Sequence, residues 1–161
     1  MEILVVLVIV SALTGIVVAR FPTFTRTADF DEEGNRLVAL LDLLHLEAQA
    51  QANEYGFAPT ETGYRFYRYD ESLPGWAELE ERPFQARELA AGVSISVKVE
   101  DSELALLSAN DEVAPPILVL SSGEMTPFEL TLSSDDADSR PKVLEADGFG
   151  GVQWVQDADT D

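Results

Sequence analysis

Catalysis needs nucleophiles, ligands or paired acids held together, and the sequence is short of all three. Its 161 residues include no cysteine and one histidine, His45. Without cysteine there is no disulfide framework, no thiolate nucleophile and no Cys-based metal site. A hydrolase triad would hang on His45 alone, and His45 sits among leucines, where a structural role is expected. Carboxylates are abundant, with 30 Asp and Glu against 10 Lys and Arg and a net charge of -20. No pair of them stands in a recognisable acid–base motif. The run Ser133-Ser134-Asp135-Asp136-Ala137-Asp138 reads as a solvated loop, rich in oxygens that suit calcium but without EF-hand spacing. Gly148-Phe149-Gly150-Gly151 lacks the lysine of a phosphate loop and reads as a turn. The expectation is therefore no catalytic, cofactor-binding or metal-ligating set. So acidic a surface also repels nucleic acid and anionic headgroups, which leaves a role in solubility or a basic partner.

The residue out of place is Glu2. It heads the apolar run Ile3 to Val18, ILVVLVIVSALTGIVV. A bilayer core about 30 Å thick needs roughly 20 apolar residues in a helix, with about 17 as the lower limit. Met1 to Ala19 reaches that limit, and in lipid a helix satisfies its own backbone hydrogen bonds. A cleaved signal peptide fits less well, because no basic residue precedes the run. A carboxylate at the edge of such a helix is costly and marks function, or else simply rests among headgroups.

The elements that would position Glu2 follow from periodicity. Pro22 breaks the helix and biases Phe21 toward extended backbone. A second helix then starts with Asp29 or Asp31 as cap and with Asp31, Glu32 and Glu33 at the positive end of its dipole. Leu37, Leu40, Leu41, Leu44, Ala48 and Ala52 recur at three- and four-residue spacing and make one apolar face. Tyr55-Gly56 is the expected end, with Gly56 as C-cap. Beyond it the period changes to two. Strands are expected at Tyr64 to Tyr69, Val93 to Val99, Ile117 to Leu120 and Phe128 to Leu132. Shorter ones are expected at Leu104 to Leu107, Lys142 to Leu144 and Gly151 to Val155. Asp157, Asp159 and Asp161 read as a frayed tail. The fold class is α+β, a long N-terminal helix packed on an antiparallel sheet or a two-sheet sandwich. The spine would be 1–55, membrane-spanning over about 1–19, and the β-rich domain 56–161.

The string Met1-Glu2-Ile3-Leu4-Val5-Val6-Leu7-Val8-Ile9-Val10 resembles the start of mature type IV pilins and type II secretion pseudopilins. There a Glu follows a few residues of the F-T-L kind and opens a hydrophobic helix. The resemblance implies that Glu2 is the assembly glutamate, paired with the N-terminal amine of a neighbouring subunit. A charge buried among packed apolar helices needs such an opposite charge. It also implies a precursor whose short basic leader ends in Gly and is cut before a Phe by a prepilin peptidase, the new N-terminus being methylated. No such leader, Gly or Phe precedes Met1 in the sequence. The expected mature chain starts a few residues earlier. Arg20 and Arg26 follow the span and oppose the orientation, which the resemblance sets with a cytoplasmic N-terminus. A proline near Pro22 is common in pilins.

Within that superfamily, Pro116 to Leu132, PILVLSSGEMTPFELTL, is similar to the strand–turn–strand of H-type minor pseudopilins. Gly123 would relieve the turn, Pro127 would start the second strand and Phe128 would face the core. The helix with Leu37 to Ala52, Tyr55-Gly56-Phe57 and Trp76 fit the same group. The resemblance implies a structural, non-enzymatic subunit of a type II secretion pseudopilus. Leu4, Leu7, Leu37, Leu40, Leu41 and Leu44 would pack the spine. Its partners would be the other minor pseudopilins, the major pseudopilin and an inner-membrane assembly platform, with no cofactor. The globular domain would lie in the periplasm of a bacterium. The alternative is a membrane-anchored periplasmic adaptor that never polymerises.

Overall fold

The computed structural model describes residues 30–72, 75–99, 102–103, 114–136 and 139–155. The expectations for Glu2, Leu4, Leu7, the break at Pro22, the cap Asp29, the strand Leu104 to Leu107 and the tail from Asp157 lie outside the described residues.

Helix α1 runs over 30–51. Its stripe of Leu37, Leu41, Leu44 and Ala48 is buried, and Leu40 packs partly against the same core. Asp31 lies inside the helix and does not cap it. Its carboxylate instead meets Lys142 Nζ at 2.7 Å. The far end also differs from expectation. Ala52 takes a left-handed φ of 50° and Asn53 N donates to Ala48 O at 3.2 Å. That six-to-one bond is the Schellman closure, formed on alanine rather than glycine. Ala52 is therefore an exposed cap and not part of the stripe, and Gly56 belongs to the strand that follows.

Among the described residues, ten strands form two five-stranded antiparallel sheets. They are β1 Tyr55–Thr60, β2 Gly63–Asp70, β3 Gly75–Glu78, β4 Arg87–Glu88, β5 Val93–Val99, β6 Ser102–Glu103, β7 Ile117–Val119, β8 Phe128–Ser134, β9 Lys142–Ala146 and β10 Gln153–Trp154. The first sheet runs β3-β2-β1-β7, with β4 also pairing β2. The second runs β10-β9-β8-β5-β6.

Alternation carries the second sheet. Ile95 and Val97 of β5, and Phe128, Leu130 and Leu132 of β8, point inward, while Ser94, Ser96 and Lys98 face solvent. β8 continues through Ser133 and Ser134, which pair with Ser94 and Val93, so the acidic loop begins only after them. The first sheet is held by aromatic rings. Phe57, Tyr64, Phe66 and Phe84 pack in a chain with neighbouring centroids 5.3 to 6.0 Å apart, a geometry that favours tilted and edge contacts. β1 tolerates Pro59 because β7 pairs only Tyr55 to Phe57 on that side, leaving no ladder bond for Pro59 to lose.

The segment expected as a hairpin is a crossover. β7 pairs β1 in the first sheet, whereas β8 pairs β5 and β9 in the second. The two limbs meet at the bridge Val119↔Met125 and through Leu118 N, which donates to Thr126 Oγ1 at 3.0 Å. Gly123 turns the chain at φ 91°, a conformation that glycine adopts without strain. Phe128 is buried and Pro127 is exposed just ahead of β8.

Candidate functional site

The candidate site is α1 itself, with one face seated on the domain and the other left open. The seat begins at Glu33, a carboxylate only 6% exposed. Arg87 of β4 grips it as a fork. Its Nε donates to Oε1 at 2.7 Å and to Oε2 at 2.9 Å, and its Nη2 donates to Oε2 at 2.7 Å. The Tyr64 hydroxyl of β2 donates to Oε1 at 2.7 Å. Burial alone pushes the Glu33 carboxyl up, but the bonds from Arg87 and Tyr64 and the Arg87 charge outweigh it and hold the group below its ordinary range. Burial, and then the bond to Glu33, push the Tyr64 phenol well above the usual tyrosine value. The bond to Glu33 raises Arg87 further. All three stay fixed in charge near neutrality, so the cluster is a clamp and not a proton shuttle.

One residue later the helix crosses the second sheet. Gly34 lies so close to Trp154 of β10 that a Cβ would stand 3.2 Å from its ring carbons, and 3.6 Å from Leu132. A side chain there would make the Trp154 ring give way by a few tenths of an ångström. Lys142 Nζ completes this end, 5.6 Å from the ring centroids of both Phe30 and Trp154 while paired with Asp31. At the other end, Glu54 follows the Schellman cap and holds the crossover. Its carboxylate accepts from Ser121 Oγ at 2.8 Å and Ser121 N at 3.0 Å.

The opposite face of α1 is apolar as well. Ala39, Leu43, Leu46 and Ala50 follow at four-, three- and four-residue spacing and are all exposed, with Leu43 at 38% and Leu46 at 62%. A helix that is apolar on two sides belongs in a larger core than one domain offers. Of the residues expected to pack the spine, Leu37, Leu41 and Leu44 are buried in the chain's own core, and Leu40 is half-buried. The outward row was not foreseen. Its signal was the leucine density of Leu37 to Leu46, too many apolar residues for one stripe. The Glu33 clamp was also missed, since Glu33 reads as an ordinary first-turn acid and its partners lie 31 and 54 residues away.

His45 is half-buried, and its Nδ1 has no hydrogen-bond partner. No group of three or more His, Cys, Asp or Glu among the described residues could hold a metal ion.

A helix laid over antiparallel sheets is also the architecture of solved pseudopilins. The chain superposes on the minor pseudopilin EpsH from the type 2 secretion system of Vibrio cholerae with a TM-score of 0.65, covering 83% of this chain and 99% of that one at 20% identity. It matches the solution structure of E. coli GspH with a TM-score of 0.60, over 84% and 92% of the two chains at 20% identity. Those likenesses speak for the fold. The family is decided by sequence. The model of the family described as Type II transport protein GspH matches residues 33–149. The chain belongs to the GspH family. Type II secretion system protein H of Pseudomonas aeruginosa, another GspH relative, is 30% identical over 155 residues, spanning 92% of this chain and 88% of that protein. The α+β class and the H-type minor pseudopilin resemblance read from the sequence agree with this membership. For a GspH chain, the clamp at Glu33 and the glycine at 34 are the first matched residues.

Proposed function

We propose that this GspH-family chain is a non-catalytic structural subunit of a type II secretion pseudopilus, anchored in the bacterial inner membrane over about 1–19 with its β-rich domain in the periplasm. The observation that carries the reading is the outward row Ala39, Leu43, Leu46 and Ala50, an apolar helix face that the chain's own core leaves uncovered. Spine helices of neighbouring subunits, from the major and the other minor pseudopilins, would cover it. Glu2 would pair with a neighbour's N-terminal amine as the assembly platform adds subunits. The filament would then help to move folded proteins across the outer membrane.

The test is the intact mass and N-terminal peptide of the chain from membranes of cells with and without prepilin peptidase. The expected chain starts a few residues before Met1 with a methylated Phe, and loses that processing when the peptidase is deleted. A chain that begins at Met1 whether or not the peptidase is present would leave a membrane-anchored adaptor instead.

A further inference from the structure

One flank of α1 runs between two loops. Asp42, Leu46 and Gln49 follow at four- and three-residue spacing and so share that flank. Asp42 Oδ1 accepts from Val152 N at 3.4 Å, and would lie 2.8 Å from a Cβ on Gly151. The Gln49 side chain would lie 3.4 Å from a Cβ on Gly123. Leu46 therefore stands between the loop over 147–151 and the turn over 121–124, and is 62% exposed. From the first loop Phe149 projects, 80% exposed. The loop is not loose around it, because Asp147 Oδ1 accepts from Phe149 N at 3.0 Å and from Gly150 N at 3.1 Å. Those bonds hold the Asp147 carboxyl below its ordinary range, so the loop stays capped at neutral pH. A phenyl ring held in water by a tied loop contributes nothing to the fold of this domain.

The segments that carry this patch bear one sign of charge. Segments 42–49, 121–124 and 147–151 hold Asp42, Glu47, Glu124 and Asp147 and contain no Lys or Arg. A second copy of the chain would bring the same carboxylates against these and be rejected. Anionic lipid headgroups would be repelled for the same reason. The complementary occupant is a protein surface with an apolar anchor among cations.

We propose that the Leu43, Leu46 and Phe149 patch docks a different subunit of the same pseudopilus, through an apolar side chain flanked by lysine or arginine. This rests on the pseudopilus reading, and commits beyond it to a neighbour of other sequence on the loop-facing flank of α1. The test places p-benzoylphenylalanine at Phe149 in the full-length chain, produced in membranes with the other pseudopilins of its own system. Irradiation should join it to one of them, at a peptide with Lys or Arg within about one helical turn of an apolar residue. Leu46→Ser and Glu47→Lys should each cut that yield about tenfold, with the thermal midpoint of the chain unchanged. Crosslinks only to a second copy, crosslinks to no pseudopilin, or a yield indifferent to both substitutions would overturn the proposal. Cargo secretion by a Glu2→Ala chain separates the two levels. Secretion stopped by Glu2→Ala but untouched by Leu46→Ser sinks the docking surface alone. Normal secretion with Glu2→Ala sinks the pseudopilus reading beneath it.

Discussion

Glu33 shows how a single carboxylate can join a helix to a sheet. Buried alone it would be strongly destabilising. With four donated bonds from Arg87 and Tyr64 it becomes a fixed negative charge. Its carboxyl is held below the ordinary 4.5, so the unfolded chain binds the proton more readily. The stabilisation is then fully present above that pH and is lost as pH falls through the lower, folded value. Glu33→Gln should destabilise the chain by about 2–3 kcal/mol at pH 7, the size of a charged hydrogen-bond set. The Arg87 side chain is 38% exposed, which keeps the figure from being larger. Urea midpoints at pH 7 and below pH 4.5 check this. The gap between wild type and variant should narrow in acid, and an equal gap at both would mean that charge is not the source. None of this was legible from Glu33 as a letter, because its environment comes from β2 and β4.

At the level of elements, legibility followed how many faces each one buries. β5 was read to its end residues because V-S-I-S-V-K-V alternates and only one face is covered. β1 was missed because nearly all of it is buried, so it shows no alternation, and because it contains Gly56 and Pro59, both poor strand formers. β3 and β4 are short and owe their pairing to β2. The crossover between β7 and β8 looked like a hairpin since its turn chemistry is that of a hairpin. Which sheet each limb joins is a long-range decision that no local pattern records. The helix shows the same limit. Its inward leucines were plain, its outward row was not, and the two should respond differently to mutation. Leu41→Ala removes a fully buried side chain and should lose about 2–5 kcal/mol. Leu46→Ala should stay within about 0.5 kcal/mol of wild type. Thermal unfolding of both variants checks the contrast, and equal losses would mean that Leu46 is covered by the chain itself.

At the scale of the molecule, charge and shape divide the work. A net charge of -20 keeps copies apart, so self-association should appear only as the carboxylates are neutralised. Light scattering of the detergent-purified chain should therefore rise toward pH 4.1, the isoelectric point of the sequence, and a flat profile would show that apolar contacts alone govern solubility. Shape enters through the seat of α1. The described helix is about 33 Å long at 1.5 Å per residue. It is fastened along that length by the Glu33 clamp, the Gly34 contact with Trp154, the leucine stripe and, past its cap, Glu54 on the crossover. A pull along the helix axis meets these attachments side by side, so they must slide together and not open one after another. Adhesive joints are strongest when loaded in this way. A pull on the first turn of α1 would carry the sheets with it as a single rigid handle.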